Sequence, residues 1–391
     1  MCFLSLSLQG EKRRGNLRHT PHQVFGGGGV PMAENPILAQ LPEVLLPWYD
    51  AGHRELPWRQ DKDPYHIWVS EIMLQQTRVE AVKGYYARFL DALPTISSLA
   101  ECEDDLLHKL WEGLGYYSRV RNLKKAAQQI ISLYNGEFPM DYAAVRALPG
   151  IGDYTAGAIC SIAFNQPTPA VDGNVLRVFS RLTDDDTPID LPVFKKTVIC
   201  QLAQVYPERA GDFTQALMEL GATVCGPNRQ PDCENCPCKG FCAGYQRGTA
   251  ERLPVKVPKK QRKIEEKTVF ILCCDGHFAI QKRPNKGLLA GLWQFPNAVG
   301  RLDTQTILNE VEKMGVKPRE IILQVERKHI FTHIEWDMCG VYLEVTNCGG
   351  DFTWLTAEQI NAQIALPTAF RLFWEGADGL GADRIFLKKP K

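Results

Sequence analysis

The chain has 391 residues, 45% of them hydrophobic, and its 45 Lys and Arg residues balance its 45 Asp and Glu residues. The length allows two domains with a core each, and zero net charge excludes a global attraction to polyanions, so any nucleic-acid surface must be a local patch. No apolar run approaches the ~20 residues of a membrane span, and cysteines without a convincing secretory signal favour a reducing compartment.

Residues 1–34 differ from the rest of the chain. They are basic, rich in Gly and without hydrophobic periodicity, which is typical of a disordered extension. The run Gly26–Gly29 requires GGN codons just upstream of Met32, and such codons can serve as a ribosome-binding site. We therefore expect a disordered extension, with translation starting at Met32.

Between residues 35 and 224 the hydrophobic pattern is helical. Apolar residues recur at spacings of three and four, and Gly, Pro or Asn residues separate the segments. The pattern predicts a multi-helix domain over residues 35–224. Its expected helices are Pro36–Ala51, Ile67–Leu90, Asp104–Glu112, Val120–Tyr134, Thr155–Phe164, Val175–Leu182, Leu191–Val205 and Phe213–Val224.

The segment Leu148–Ala156 reads LPGIGDYTA, a Pro-Gly-x-Gly turn between two predicted helices. Gly150 and Gly152 permit backbone conformations that other residues resist, and they allow a ligand to approach the main chain closely. The N–H groups at the start of the next helix favour an anion such as a DNA phosphate. A plain helix–turn–helix connection is the alternative interpretation.

The segment Val171–Val175 reads VDGNV and places a carboxylate beside Gly and Asn at a predicted helix start. Asp172 is a poor residue for a core and a good one for a site, although a plain N-cap is the alternative. This segment strengthens the interpretation of the hairpin as a functional element.

Closely spaced cysteines follow the last predicted helix, in a loop over residues 225–250. Cys238 is surplus, because it lies too close to Cys236 to be a comfortable fourth ligand. Four thiolates suit a tetrahedral zinc or an iron–sulfur cluster, and a disulfide knot is the third interpretation. The four spaced C-x7-C-x2-C-x5-C are Cys225, Cys233, Cys236 and Cys242.

Residues 251–266 form a basic segment containing two prolines. We expect an extended, exposed linker, which is either a solvated tether or a segment that lies along DNA phosphates. From residue 267 to residue 391 the pattern changes to that of an α/β domain. Its expected strands are Thr268–Cys274, Phe278–Arg283 and one within Ile334–Val345, and its expected helices are Thr304–Met314 and Thr356–Ile364.

These motifs resemble those of a known superfamily. The hairpin, the downstream Asp172 and the four-Cys loop are similar to those of the endonuclease III-type DNA glycosylases. Further motifs resemble the MutY adenine glycosylases, and the resemblance covers nearly everything from residue 35 onwards. It implies a helical helix–hairpin–helix glycosylase domain with an iron–sulfur loop, followed by a Nudix-like α/β domain. The further motifs are LPWR (Leu56–Arg59), WVSEIMLQQT (Trp68–Thr77), WEGLGYYSRVR (Trp111–Arg121) and FTQALMELGA (Phe213–Ala222).

The resemblance implies a division of catalytic work. Glu71 would protonate N7 of adenine and then guide water to the sugar, because a carboxylic acid in a half-apolar pocket keeps its proton near neutral pH. Asp172 would stabilise the oxocarbenium-like sugar, and Asn174 would position groups beside it. Tyr154 occupies the hairpin position of the Lys that forms a Schiff base in bifunctional members, so we expect a monofunctional enzyme. Without the resemblance, Glu71 could be a surface residue of an amphipathic helix.

The resemblance also implies DNA contacts. A flipped adenine leaves a hole in the duplex, and Gln76 and Tyr116 match the family residues that fill it. Core packing is the alternative for Tyr116. The remaining expected contacts to DNA or to the adenine are Trp58, Arg59, Leu74, Thr77, Gly150, Gly152 and Gln215.

The segment Arg283–Pro296 resembles the opening part of a Nudix hydrolase fold, but the acidic R-E-x-x-E-E core of a working Nudix box is missing. The resemblance implies that this domain recognises 8-oxoguanine opposite the adenine. Phe331, Thr332 and His333 match the family's F-S-H loop, with Thr in place of Ser. A strand-end histidine is the alternative for His333.

In the family the four cysteines bind a [4Fe–4S] cluster, so the resemblance favours this cofactor over zinc. The family's first gap has six residues where this chain has seven, and Arg229 is the local candidate for a phosphate contact. The expected partners are duplex DNA with A:8-oxoguanine or A:G mispairs, and repair or replication proteins. We expect a monomer in the bacterial cytoplasm, associated with the nucleoid and not with a membrane.

Two other functions stay open at this point. An endonuclease III-like enzyme would remove oxidised pyrimidines and nick the strand, which Tyr154 and Glu71 disfavour. A non-catalytic sensor of DNA damage would bind DNA without releasing adenine, which the two intact carboxylates disfavour.

Overall fold

The computed structural model describes residues 35–227, 230–258, 261–375 and 382–387. The expected extension over residues 1–34, the start at Met32 and the contact of Arg229 lie outside the described residues. One compact unit, the first unit, combines the chain up to His53 with Asn165–Val255. The second unit combines Arg54–Phe164 with the chain from Lys256 onwards. No helix in the described ranges has the length and apolar character needed to cross a bilayer.

The first unit is helical, and its helices share an apolar core that includes Leu45, Val178 and Phe213. Asp172 is the N-cap of the helix Gly173–Thr183, since its side chain accepts hydrogen bonds from first-turn N–H groups. The helices are Pro36–Ala39, Leu41–Gly52, Gly173–Thr183, Pro192–Ala203, Ala210–Thr223 and Ala243–Gln246.

The N-terminal part of the second unit is also helical. The sequence predicts one helix over Ile67–Leu90, and this prediction is wrong. The chain leaves the helical conformation after Leu74 because Gln76 adopts a left-handed φ of 58°. The helices are Pro57–Arg59 (one 3₁₀ turn), Pro64–Leu74, Val79–Ala92, Ile96–Glu101, Asp104–Leu110, Ser118–Tyr134, Tyr142–Ala147 and Asp153–Phe164.

The C-terminal part of the second unit, called the sheet domain below, contains a mixed β-sheet. Its strands are β1 (Lys263–Cys274), β2 (His277–Lys282), β3 (Trp293–Gln294), β4 (Asn297–Val299), β5 (Pro318–Ile330), β6 (Ile334–Val345) and β7 (Thr353–Thr356). The order is β3-β2-β1-β6-β5, with β4 also paired to β1 and β7 to β2. Strands β1 and β6 are parallel, and the other pairs are antiparallel.

Alternate residues of β1 belong to different apolar cores, because side chains of a strand point to opposite faces. Val269 shares a core with Phe370, and Phe270 shares another with Val311. The predicted α/β class of this domain is therefore confirmed. The sequence missed β5, and β1 begins at Lys263, within the segment assigned to the linker. The helices are Thr304–Lys313, Ala357–Gln363, Thr368–Trp374 and Ala382–Leu387.

Candidate active site

Glu71 lies in the second unit on the helix Pro64–Leu74, which is buried along most of its length. Only 5% of Glu71 is exposed, and the Tyr154 hydroxyl donates a hydrogen bond of 2.6 Å to its Oε2 atom. Tyr154 lies in the first turn of the helix Asp153–Phe164, which packs against the Glu71 helix. The alternative of a surface Glu is therefore wrong: this is a buried carboxyl group with a defined polar partner.

The two glycines of the hairpin motif differ in backbone conformation and in surroundings. Gly150 has a left-handed φ of 78°, and a Cβ atom there would lie 2.6 Å from Cβ of Asn122. Gly152 lacks a left-handed φ, so the expectation of an unusual conformation is wrong for it. No described atom lies within 4 Å of where its Cβ would be, so its main chain is open to a ligand. Arg146 braces the turn through Asp153, with 2.6 Å between Nε and Oδ1.

Gln76 and Tyr116 are exposed, and both have a left-handed backbone, with φ values of 58° and 46°. This conformation is uncommon for residues other than Gly and recurs at functional sites. Tyr116 is 49% exposed, so core packing is the wrong interpretation for it. Its neighbour Tyr117 is the buried member of the pair.

Arg119, which sequence reasoning did not single out, connects these two segments. Burial lowers the pKa of its guanidinium to about 10, which keeps the group charged at neutral pH. A cation is also favourable at the C-terminal end of the Glu71 helix. The only signal in the sequence is an Arg three residues after Tyr116. Its Nη atoms donate to the carbonyl oxygens of Ile72 (2.7 Å), Met73 (3.2 Å), Gln75 (2.8 Å), Leu114 (2.9 Å) and Gly115 (3.1 Å).

The residues expected around the adenine lie in both units. In the second unit Trp58 is buried edge-to-face on Tyr86, with 5.6 Å between ring centroids. Arg59 Nη1 donates to the carbonyl oxygen of Arg54 at 3.0 Å. Leu74 and Thr77 are half-buried beside Gln76, and Gln215 is half-buried on the helix Ala210–Thr223 of the first unit.

Asp172 is held by three N–H donors in the first unit. Its Oδ1 atom accepts the main-chain N–H groups of Asn174 (2.9 Å) and Val175 (2.8 Å), and its Oδ2 atom accepts Nδ2 of Asn174 at 2.8 Å. Burial raises the pKa of Asp172, while these donors act in the opposite direction. Asp172 is thus an N-cap, as the alternative interpretation held, with an additional side-chain donor.

The helix that Asp172 caps also holds the cysteine loop through two buried arginines. Arg177 Nε donates to the Cys225 carbonyl oxygen at 2.8 Å, and its Nη2 atom donates to Asn174 Oδ1 at 2.9 Å. Arg181 Nη1 lies 3.2 Å from the Cys225 sulfur. Sequence reasoning missed both arginines, because their i, i+4 spacing on one helix is also typical of a solvated face.

The cysteines predicted as ligands line one cavity with apolar side chains such as Val178 and Leu220. The described cysteines are free thiols, so a disulfide knot is the wrong interpretation. The thiol of Cys238 lowers the pKa of Cys236 to about 7 by hydrogen bonding to it. Within the described ranges no three His, Cys, Asp or Glu side chains are arranged to bind a metal ion. The donor set of four thiols around one apolar cavity nevertheless fits a thiolate-bound group.

In the second unit a cleft of about 440 Å³ contains both Tyr116 and the loop between β5 and β6. The Tyr116 hydroxyl lies 3.0 Å from Oγ1 of Thr332. Thr332 and His333 are exposed in the bend between β5 and β6, and His333 directly precedes the first residue of β6. Phe331 is half-buried and packs edge-on against Trp336, with ring centroids 4.9 Å apart.

Comparisons with known proteins identify the family of the chain. Residues 69–194 match the model of the HhH-GPD superfamily base excision DNA repair proteins, and residues 268–376 match the NUDIX domain. The chain is 34% identical to the human adenine DNA glycosylase, over 88% of this chain and 76% of that protein. The chain belongs to the adenine DNA glycosylase family.

A bacterial member of the family, the adenine DNA glycosylase of Buchnera aphidicola subsp. Baizongia pistaciae, is 36% identical over 75% of this chain and 82% of its own length. Among solved structures, a thermostable thymine-DNA glycosylase has a TM-score of 0.49 at 27% identity and covers 54% of this chain and 97% of its own. The resemblance found in the sequence is confirmed, and this family member is a base excision repair enzyme with a Nudix-like C-terminal domain.

Proposed function

We propose that this protein hydrolyses the N-glycosidic bond of adenine mispaired with 8-oxoguanine or guanine in duplex DNA. The observation that carries the proposal is the buried Glu71 carboxyl group, with the Tyr154 hydroxyl at 2.6 Å from it. Adenine as the released base is supported by the names of the relatives, which are adenine DNA glycosylases.

Glu71 acts as the general acid. Adenine is a poor leaving group until its ring is protonated, and burial favours the neutral, proton-carrying form of a carboxyl group. After transfer of the proton to N7, the Glu71 carboxylate orients the attacking water. The Tyr154 hydroxyl fixes the position of Oε2 before and after this transfer.

Asp172 acts on the sugar. Positive charge develops on the deoxyribose as the bond to adenine breaks, and an ionised carboxylate stabilises that charge. Three N–H donors favour the ionised form of Asp172, and Asn174 supplies two of them. Asn174 is therefore the residue that positions this carboxylate and opposes the rise of its pKa on burial.

The reaction stops at the abasic site. A bifunctional glycosylase needs an amine in the hairpin to form a Schiff base with the sugar. Tyr154 stands at that hairpin position, and a phenol cannot form a Schiff base. Base release therefore proceeds by hydrolysis without cleavage of the strand.

Exposed residues of the second unit contact the DNA. Gln76 and Tyr116 fill the space left by the flipped adenine, and their left-handed backbones hold them outside the packed core. The open main chain at Gly152 lets a phosphate approach the hairpin. Trp58, Arg59, Leu74 and Thr77 of the second unit contact the extruded base, and Gln215 of the first unit is a further candidate contact.

The sheet domain recognises the base opposite the adenine. Thr332 and His333 are exposed in the turn after β5, and Thr332 offers a hydroxyl group for 8-oxoguanine. Pyrophosphate hydrolysis is not part of this proposal, since the sequence lacks the acidic core of a working Nudix box and Glu310 forms an ion pair with Lys313 at 2.6 Å. The domain serves as a recognition module.

Cys225, Cys233, Cys236 and Cys242 hold a [4Fe–4S] cluster with a structural and a redox-sensing role. Arg177 and Arg181 connect their loop to the helix capped by Asp172, so an ordered loop supports the position of that carboxylate. Zinc bound by the same thiols is the alternative. A brown protein absorbing near 400 nm is expected, and a colourless protein that retains one zinc would contradict the cluster.

The partners follow from this reaction. The substrate is duplex DNA with an A:8-oxoguanine or A:G mispair, and the abasic product requires further repair or replication proteins. We propose a monomer that works on the bacterial nucleoid in the cytoplasm.

The deciding experiment is single-turnover adenine excision from an A:8-oxoguanine duplex, with an undamaged A:T duplex as the control. We expect strand breaks only after hot alkali, because hydrolysis leaves an intact abasic strand. Strand cleavage without alkali would favour the bifunctional enzyme instead. Tight binding of the mispair without release of adenine would favour the non-catalytic sensor.

A further inference from the structure

Within the second unit, the motif Trp111–Arg121 contacts three separate loops of the sheet domain. The Tyr116 hydroxyl lies beside Thr332, as described above. Two more residues of the motif, Glu112 and Arg121, each bind a main-chain group of the sheet domain. The proposed function explains Tyr116 but gives no role to these two charged side chains.

Glu112 binds the loop that precedes the helix Thr368–Trp374. Its Oε1 atom accepts the main-chain N–H of Leu366 at 3.1 Å, and its Oε2 atom pairs with Lys109 Nζ at 2.7 Å. Lys109 Nζ also donates to the carbonyl oxygen of Ile364 at 3.0 Å. Only 16% of the Glu112 side chain is exposed, so this bond is shielded from solvent and stronger than a surface contact.

Arg121 binds a different loop, between β2 and β3. Its Nη1 atom donates to the carbonyl oxygen of Ala290 at 2.9 Å, and Ala290 is buried. The guanidinium is half-buried, so the charged donor is partly removed from water. A charge-assisted bond to a buried carbonyl fixes the loop more firmly than a neutral bond.

Both anchored positions are adjacent in sequence to residues of the cleft that holds Tyr116 and Thr332. Leu366 precedes Pro367, and Ala290 follows Leu289, and both Pro367 and Leu289 line the cleft. The cleft walls are thus attached to the same short motif that carries Tyr116. A shift of either loop would change the space around Thr332.

We propose that Glu112 and Arg121 are positioning residues that set the specificity for the base opposite adenine, by holding the cleft walls in register with Tyr116. This inference rests on the proposed function. Neither residue contacts the reacting atoms. Their loss lowers discrimination between 8-oxoguanine and guanine and leaves the chemistry at Glu71 in place.

The test measures single-turnover excision by the full-length protein on A:8-oxoguanine and A:G duplexes and compares the ratio of the two rate constants. Glu112→Ala removes a charge-assisted bond, so we expect the ratio to fall about tenfold, with the A:G rate within about threefold of wild type. Glu112→Gln keeps an oxygen acceptor for the Leu366 N–H, and we expect it to retain most of the ratio. Arg121→Met keeps the apolar stem, and we expect a several-fold fall.

Lys282→Ala is the matched control. Its ion pair with Asp105, at 3.0 Å, also joins the helical part of the unit to the sheet domain, but 49% and 45% of these side chains are exposed. Such a pair contributes little, so the ratio should equal that of wild type. Thermal melting of each variant distinguishes a folded protein from an unfolded one.

An unchanged ratio in folded Glu112→Ala or Arg121→Met overturns the inference. Equal losses on both duplexes also overturn it, because they indicate damage to the active site. If Glu112→Ala does not fold, the ratio of Arg121→Met decides in the same way. A wild-type protein that releases no adenine contradicts the proposed function itself, which separates the two failures.

Discussion

Glu71 and Asp172 are the same functional group in two different environments. Glu71 is buried in a helix whose neighbouring side chains are mostly apolar, and it accepts a hydrogen bond from the neutral Tyr154 phenol. Asp172 begins a helix and accepts three N–H groups, which oppose the rise of its pKa on burial. Environment alone can keep a proton on one carboxyl group and a charge on another, which is how sugar hydrolases divide their work.

The largest effect is expected for Glu71→Gln, which tests whether Glu71 is the protonated member of the pair. The amide keeps an oxygen that accepts the Tyr154 hydroxyl, but it has no acidic proton to give to adenine. We expect single-turnover excision to fall about 10³-fold, within the usual range for a general acid. Binding of the mispaired duplex should persist, and normal excision by this variant would refute the role of Glu71.

Asp172→Asn tests the charged member of the pair. The amide oxygen can still accept the N–H groups of Asn174 and Val175, so the helix cap survives while the negative charge is lost. We expect excision to fall about 10²-fold, because charge stabilisation at the sugar is removed. Asp172→Ala serves as the control for capping and should also lower the free energy of unfolding by about 1 kcal/mol. An excision rate of Asp172→Asn equal to that of the wild type would contradict a role for the negative charge.

Tyr154→Phe sharpens the comparison by removing the donor to Glu71. The bond is 2.6 Å long, and its loss should slow excision about tenfold, as for one hydrogen bond to an ionisable group. The phenyl ring keeps the packing between the two helices. Rate constants from single-turnover experiments on the A:8-oxoguanine duplex give the effect. An unchanged rate would mean that the hydroxyl does not position the acid.

The smallest expected effect concerns pH. The side-chain amide of Asn174 stabilises the Asp172 carboxylate, so Asn174→Ala raises the pKa of Asp172 further above its ordinary value. Because the ionised form is the active one, the acid limb of the pH–rate profile moves to higher pH. Excision at neutral pH should fall less than tenfold. A limb that stays in place, or moves to lower pH, would exclude Asp172 as its origin.

Sequence reasoning singled out Glu71 and Asp172 because each lies in a motif with a chemical meaning, and their catalytic roles stay predictions. It could not find the roles of Arg119 or Glu112, because the bonds that join them to distant segments go to main-chain groups, which carry no residue identity. Most other residues at the positions of Ile72 and Leu366 would offer the same main-chain group. Such contacts depend on where the backbone runs, which a single sequence does not state.

The missed elements have similar causes. Strand β5 was missed because none of its residues is fully buried and its exposure pattern is irregular between Pro318 and Leu323, where the register shifts. The break at Gln76 was missed because QQT contains neither Gly nor Pro, the usual signals of a turn. By contrast a strand was predicted within Ile334–Val345, the bounds of β6, whose residues 340–343 form a continuous buried run.

The Arg119 guanidinium serves carbonyl oxygens of two segments that are distant in sequence. Local unfolding of either segment would displace the Arg119 guanidinium, which donates hydrogen bonds to both of them. The two segments are therefore expected to open as a single cooperative unit. Their amide hydrogens should then exchange with solvent at a common rate. The free energy that opens the helix carrying Glu71 is then the same as the free energy that opens the loop carrying Tyr116.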